Sequence, residues 1–91
     1  MVLTRKHVVV TGVVQGVGFR WFAMEAARSC RVTGWAHNNP DGSVEAEAQG
    51  TPAAVAGFVS ALRQGPRSSR VESVQERDVA VTVGETDFDV R

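Results

Sequence analysis

The feature that most constrains this chain is a cluster of glycines between two segments of different periodicity. Gly12, Gly16 and Gly18 lie between the valine-rich stretch 8–11 and a stretch from Trp21 with helical spacing. Glycine accepts a positive φ without a Cβ clash, so a strand can turn tightly into a helix here. A loop at a helix start can also direct several main-chain N–H groups towards one anion.

Arg20 follows this loop directly, and its guanidinium provides a fixed charge and a planar set of donors for phosphate oxygens. A Walker loop would have Lys-Ser or Lys-Thr after the last glycine, and a dinucleotide fingerprint would have glycine at position 21. Neither is present. An ordinary tight turn uses the same glycines, so the predicted phosphate-binding loop requires a second functional group elsewhere in the chain.

Length and composition limit the possible functions. Ninety-one residues predict a single domain over residues 1–91, and the ten basic and ten acidic residues give no basic excess for nucleic acid. No long apolar run predicts a membrane span. The lone Cys30 and the two widely separated histidines, His7 and His37, have no metal-ligand spacing. We therefore expect a cytoplasmic protein without metal, cofactor, nucleic-acid partner or membrane partner.

Periodicity predicts the order β-α-β-β-α-β with a short extra strand. The segments are a strand at 6–14, a helix at 21–30, a strand at 32–38, a turn at 39–42, a strand at 44–49, a helix after Thr51-Pro52 that ends at Gly65-Pro66, an extended segment at 71–83 and a strand near 88–90. This order predicts an α+β fold. The expected form is a ferredoxin-like split βαβ sandwich, with an antiparallel sheet and two helices on one face.

Spacing also predicts which side chains are buried. Four-residue intervals indicate a buried side of the first helix. Two-residue alternation indicates a buried face and a solvent face of the third strand. In addition, both tryptophans are expected to be packing residues. A change of phase within 71–83 suggests a bulge. The predicted sets are Phe22, Ala26 and Cys30 (buried, helix); Val44, Ala46 and Ala48 (buried, strand); Glu45, Glu47 and Gln49 (solvent); Val79, Val81 and Val83 (alternating); and Trp21 and Trp35 (packing).

Two separated motifs resemble those of a known family. Residues 14–20 read Val-Gln-Gly-Val-Gly-Phe-Arg, and a second segment contains Gly34-Trp35, Asn38 and Asp41-Gly42. Both motifs, at this spacing, resemble the two signatures of the acylphosphatases. The resemblance covers residues 7–76, and it implies hydrolysis of the carboxyl–phosphate bond of acyl phosphates to a carboxylate and inorganic phosphate.

The resemblance also implies roles for individual residues. Arg20 would bind the phosphate and Asn38 would hold the attacking water. The remaining phosphate ligands would be main-chain groups of Gln15, Gly16, Val17, Gly18, Phe19 and Arg20. The implied enzyme is a metal-independent monomer with a small-molecule acyl phosphate as substrate, and inorganic phosphate is its product and competitive inhibitor.

Two other functions stay open on the sequence. One is a ligand-binding or regulatory module that keeps the phosphate site without turnover. The other is an RNA-binding module of similar architecture, which would require exposed strand aromatics and a basic excess. The sequence also departs from the family where the first helix ends, because Arg31 stands where the acylphosphatases commonly have glycine. We expect a strained or altered helix exit there.

Overall fold

The computed structural model of the protein describes residues 2–91. Its elements are β1 (Thr4–Val13), α1 (Phe19–Cys30), β2 (Thr33–Asn38), β3 (Val44–Gly50), α2 (Pro52–Gln64), β4 (Arg70–Val79) and β5 (Phe88–Val90). The strands form one sheet in the order β4-β1-β3-β2-β5. Neither helix in this part of the chain is long and apolar enough to cross a membrane.

The predicted α+β architecture is confirmed. Strand pairs β1–β3, β1–β4 and β2–β3 are antiparallel. The short β5 pairs with β2 in parallel, so the sheet is mixed at this edge rather than wholly antiparallel.

The core lies between the helices and one face of the sheet. Alternate residues of β1 and β3 supply much of the sheet side, in agreement with the two-residue pattern. The buried set includes Val8, Val10, Val44, Ala46 and Ala48 from the sheet and Val55, Phe58, Val59 and Leu62 from α2. Helix α2 begins as expected, because the Thr51 hydroxyl accepts a hydrogen bond from the N–H of Ala54 at 3.2 Å.

The first helix differs from the prediction in its start and in its buried side. It begins at Phe19, and the fully buried side chains are those of Phe19, Ala23 and Ala27. The predicted stripe through Phe22, Ala26 and Cys30 is only half-buried and packs against the border of the core. Two stripes one residue apart have the same four-residue spacing, so the spacing alone does not distinguish them.

The extended segment after α2 also ends earlier than predicted. Strand β4 stops at Val79, and Val81 and Val83 lie outside it with exposed side chains. The predicted bulge is present: Thr11 pairs with Ser73 and Gly12 pairs with Val71, so Glu72 has no residue opposite it. Beyond β4 the chain crosses the outer face of the sheet, where polar contacts determine its path.

Those contacts centre on Arg5, whose side chain is only 3% exposed. Its guanidinium donates to Glu47 at 2.6 Å, to Gln49 at 3.1 Å and to both carboxylate oxygens of Glu85 at 2.8 and 3.2 Å. The Gln49 amide in turn donates to the carbonyl of Thr82 at 3.0 Å and accepts from its N–H at 2.8 Å. This Arg5 cluster fixes segment 80–87 over the sheet.

The cluster corrects the prediction that the third strand has a solvated polar face. Gln49 is buried, Glu47 pairs with Arg5, and the Glu45 carboxylate lies 2.6 Å from the ring Nε2 of His7. The alternation correctly separated the two faces of the strand. It carried no information on the later segment that covers the second face.

The titration of Glu85 makes the stability that this cluster provides depend on pH. Burial disfavours its carboxylate, but hydrogen bonds from Arg5 and Thr33 and the Arg5 charge outweigh that effect, and the pKa of Glu85 lies below its usual value of 4.5. A lowered folded pKa means that the unfolded chain binds this proton more tightly. The stabilisation is therefore complete above about pH 4.5 and is lost as the pH falls through the folded pKa.

We predict that Glu85→Gln lowers the free energy of unfolding at pH 7 by about 1–2 kcal/mol, because Arg5 loses a charged partner. The difference from wild type should narrow as the pH falls below the unfolded pKa, measured by urea unfolding at several pH values. Asp78→Asn is the matched control, because this carboxylate is 80% exposed beside Lys6. A Glu85→Gln deficit that stays constant down to acid pH contradicts the assignment.

The end of α1 keeps the left-handed geometry usual at a helix C-terminus, so of the two expectations for Arg31 the strained exit applies and the altered shape does not. This residue has φ 61° and ψ 47°, in the left-handed region, and is the one non-glycine residue with positive φ within residues 2–91. A side chain in this conformation costs about 1–2 kcal/mol, part of which glycine would regain.

We predict that Arg31→Gly raises the free energy of unfolding by about 0.5–1 kcal/mol, after allowance for the larger unfolded-state entropy of glycine. The melting temperature should rise by about 3–6 °C in thermal unfolding. Arg31→Ala is the control that removes the same side chain but keeps the Cβ. Equal stabilisation by both variants would attribute the effect to the arginine side chain rather than to the backbone.

Candidate active site

The register of the three central strands brings two distant parts of the chain together. Val10 pairs with Val44, and Val44 pairs with Asn38 on its other side. The C-terminal end of β1, where the glycine loop begins, and the last residue of β2 therefore lie at the same end of the sheet. This row places the glycine loop beside Asn38.

The glycine loop, residues 14–18, connects β1 to α1. Gly16 and Gly18 have φ values of 74° and 77°, and a Cβ built at either one would meet no heavy atom within 4 Å. Gly18 is the N-cap of α1, where no side chain caps the helix. The N–H groups of the first helical turn therefore have no side-chain acceptor at this end.

A cavity of about 180 Å³ opens between the loop, the start of α1 and the end of β2. It is lined by Val14, Gly16, Gly18, Phe19, Arg20, Trp21 and Asn38. The two residues singled out for chemistry, Arg20 and Asn38, thus share one cavity although they are 18 positions apart in the sequence. Its lining contains one fixed cation, Arg20, and no carboxylate.

Two predicted loop residues do not line this cavity. Val17 packs partly against the core, and its carbonyl accepts a hydrogen bond from the Ser68 hydroxyl at 3.3 Å. The side chain of Gln15 points to the β2–β3 hairpin, where its Nε2 donates to the carbonyls of Asn39 at 2.7 Å and Ser43 at 2.9 Å. Gln15 thus joins the glycine loop to the hairpin next to Asn38.

The hairpin itself is held by short-range polar contacts. The Asp41 carboxylate accepts from the Ser43 hydroxyl at 2.6 Å and from its N–H at 2.9 Å, and these bonds lower the pKa of Asp41. The Asn39 side chain donates to the Ser43 hydroxyl at 3.0 Å. This is the expected behaviour of an Asn-Pro-Asp-Gly turn, and it fixes the direction in which β2 ends.

Arg20 is positioned by a contact that the sequence did not predict. Its Nη1 donates to the main-chain oxygen of Arg91 at 2.6 Å, and the N–H of Arg91 donates to the carbonyl of Ala36 at 2.8 Å. The Arg91 guanidinium lies over the Trp35 ring, 4.9 Å from its centroid. No local motif marks this contact, because it depends on the parallel pairing of β5 with β2.

The prediction that both tryptophans are packing residues is correct for one of them. Trp35 is half-buried between Arg91 and the His7 ring, whose centroid is 6.3 Å away. Trp21 is 64% exposed and lies at the rim of the cavity. It misses the core because it stands two positions after the buried Phe19, about 200° further around the helix.

Comparison with known proteins shows the family of the chain. The acylphosphatase family model matches residues 6–90. The chain is 53% identical over 79 residues to an acylphosphatase of Bifidobacterium longum, covering 87% of this chain and 81% of the relative. It is 43% identical over 89 residues to an acylphosphatase of Pasteurella multocida, covering 98% and 99% of the two chains.

This protein belongs to the acylphosphatase family.

The fold agrees with that assignment. The crystal structure of the acylphosphatase from Bacillus subtilis superimposes with a TM-score of 0.92 at 33% sequence identity, covering 99% of each chain. Both signature segments, 14–20 and 34–42, fall within the region that the family model matches. Among residues 2–91 no group of three or more His, Cys, Asp or Glu side chains is arranged to hold a metal ion.

Proposed function

We propose that this acylphosphatase hydrolyses acyl phosphates at the cavity between the glycine loop and Asn38. The observation that supports this most strongly is that the uncapped start of α1, Arg20 and Asn38 line the same cavity of about 180 Å³. Main-chain N–H donors and a fixed cation can stabilise the phosphoryl charge, and a neutral amide can orient water for hydrolysis of a phosphoric–carboxylic anhydride.

The phosphoryl group binds to main-chain N–H groups of residues 15–20 and to the Arg20 guanidinium. The positive φ of Gly16 and Gly18 curves the loop so that successive amides converge. One nitrogen of Arg20 is engaged by Arg91, which limits the side-chain rotamers and leaves other N–H groups for phosphate oxygens. Such donors stabilise the charge on the equatorial oxygens in the transition state without a metal ion.

The Asn38 amide orients the attacking water. The water oxygen forms a bond to phosphorus, the bond between phosphorus and the acyl oxygen breaks, and the electron pair leaves on the carboxylate. Because a carboxylate is a good leaving group, no strong general acid is required at the bridging oxygen. Asn38 is no ordinary base, so the proton of the water passes to an oxygen of the substrate's own phosphate. The protein acts as a monomer, and inorganic phosphate inhibits competitively.

We predict that Arg20→Ala lowers kcat/KM for acetyl phosphate by about 10²–10³-fold, because it removes the one cation of the cavity. Arg20→Lys should recover little of this loss, since an ammonium does not reproduce the planar donors. Steady-state hydrolysis measures kcat/KM for each variant. The same assay with a chelator tests whether hydrolysis is independent of metal ions. Arg28→Ala is the matched control on the same helix, and its side chain is 70% exposed. Turnover of Arg20→Ala equal to that of Arg28→Ala overturns the proposal.

We predict that Asn38→Ala lowers kcat by about 10²-fold or more while inorganic phosphate still binds, because only the water loses its orienting group. Competitive inhibition by phosphate and the melting temperature are measured on the same variant. A variant with intact kcat but a lower melting temperature would assign Asn38 to the hairpin turn and not to the reaction.

A pair of glycine substitutions tests the loop amides separately. Gly16 and Gly84, with φ 74° and 82°, both have open space where an alanine methyl would lie, so Gly16→Ala and Gly84→Ala incur the same backbone strain of about 1 kcal/mol. We predict similar losses of stability, but a weaker affinity for inorganic phosphate in Gly16→Ala alone, measured by titration calorimetry. Equal phosphate affinity in the two variants contradicts main-chain binding by the loop.

A further inference from the structure

Trp21 is a large apolar side chain that the core does not use. It is 64% exposed, yet it lines the same cavity as Arg20 and Asn38. Single exposed apolar residues are common on protein surfaces and require no explanation. An exposed indole at the rim of a binding cavity is different, because small-molecule sites are lined by aromatic side chains that the ligand covers.

The other apolar residues of the cavity have no surface left to bury. Val14 and Phe19 line it with side chains that are 1% and 2% exposed and already belong to the core. The remaining lining consists of two glycines, Arg20 and Asn38. Within the described lining, Trp21 is therefore the side chain that offers apolar surface to a ligand.

The position of Trp21 on α1 does not follow from the packing of the helix. Phe19, Ala23 and Ala27 form its buried side. Arg20 and Trp21 line the same cavity, so a phosphoryl group held by Arg20 lies in the cavity that has Trp21 at its rim. An acyl phosphate has two parts. The phosphoryl group is polar and is held by the loop, whereas the acyl group projects from it and can bind to an apolar surface.

We propose that Trp21 forms the subsite for the acyl group and is the side chain on which discrimination between aromatic and aliphatic acyl phosphates depends in this enzyme. This inference rests on the proposed function, which places the phosphoryl group at the loop and Arg20. A flat aromatic acyl group stacks against the indole or meets its edge, whereas a methyl group covers little of the ring.

The test compares two non-hydrolysable ligands that differ only in the acyl substituent. Phenacylphosphonate and acetonylphosphonate carry a phenyl and a methyl group, with a methylene in place of the bridging oxygen. Their affinities are measured by titration calorimetry for wild type, Trp21→Ala, Trp21→Phe and Val83→Ala. Val83 is an apolar control on segment 80–87, with a side chain that is 96% exposed. Inorganic phosphate, which has no acyl group, reports whether the loop is intact.

We expect wild type to bind the phenacyl ligand about tenfold more tightly than the acetonyl ligand. Trp21→Ala should reduce this ratio to about twofold or less, Trp21→Phe should keep most of it, and Val83→Ala should match wild type. A wild-type ratio near one, an unchanged ratio in Trp21→Ala, or an equal loss of both ligands and of phosphate overturns the subsite.

Turnover of benzoyl phosphate and acetyl phosphate separates this inference from the proposed function. Hydrolysis of both substrates with a ratio independent of Trp21 overturns the subsite alone. Ligand binding with a Trp21-dependent ratio but without turnover of either substrate overturns the hydrolysis and leaves Trp21 as part of a binding site.

Discussion

The pairing of β3 with strands on both sides is the constraint on which the site depends. Because β1 and β2 are both antiparallel to β3, they run in the same direction and end at the same edge of the sheet. The row Val10–Val44–Asn38 sets the distance between the glycine loop and Asn38 before any side chain at the site makes a contact. A slip of one residue in the β2–β3 pairing would turn Asn38 to the opposite face, and a slip in the β1–β3 pairing would do the same to the side chains that precede the glycine loop. The two bonds from Gln15 then join loop and hairpin at the end that the register has aligned.

Local chemistry made part of this arrangement predictable from the sequence. Glycines at 16 and 18, the Asn-Pro-Asp-Gly turn and the Thr51 cap each act within a few residues, and the structure has a left-handed loop, a tight hairpin and a capped helix at those positions. The resemblance to the acylphosphatases supplied the connection between the two motifs that local rules do not provide.

What the sequence did not predict depends on contacts between residues far apart in the chain. The Arg5–Glu85 pair joins residues 80 positions apart, and the Arg20–Arg91 bond joins residues 71 positions apart. Alternation along β3 separated its faces but did not show that segment 80–87 would cover the polar one. In the same way, a spacing of four in α1 was compatible with two stripes. The side chain of Phe19 determined which stripe is buried, because the N-cap at Gly18 places it in the first turn.

Helix α1 contributes both to the core and to the candidate active site. Its buried side, from Phe19 to Ala27, packs in the core, and its first turn lines the cavity. The Trp21 side chain lies outside the buried side of the helix. Its replacement should therefore alter the rim of the cavity with little effect on the fold. In the proposed function, the loop amides and Arg20 bind the phosphoryl group. In the proposed subsite, the choice of acyl group depends on one side chain, which lies outside the core and can change without loss of the loop.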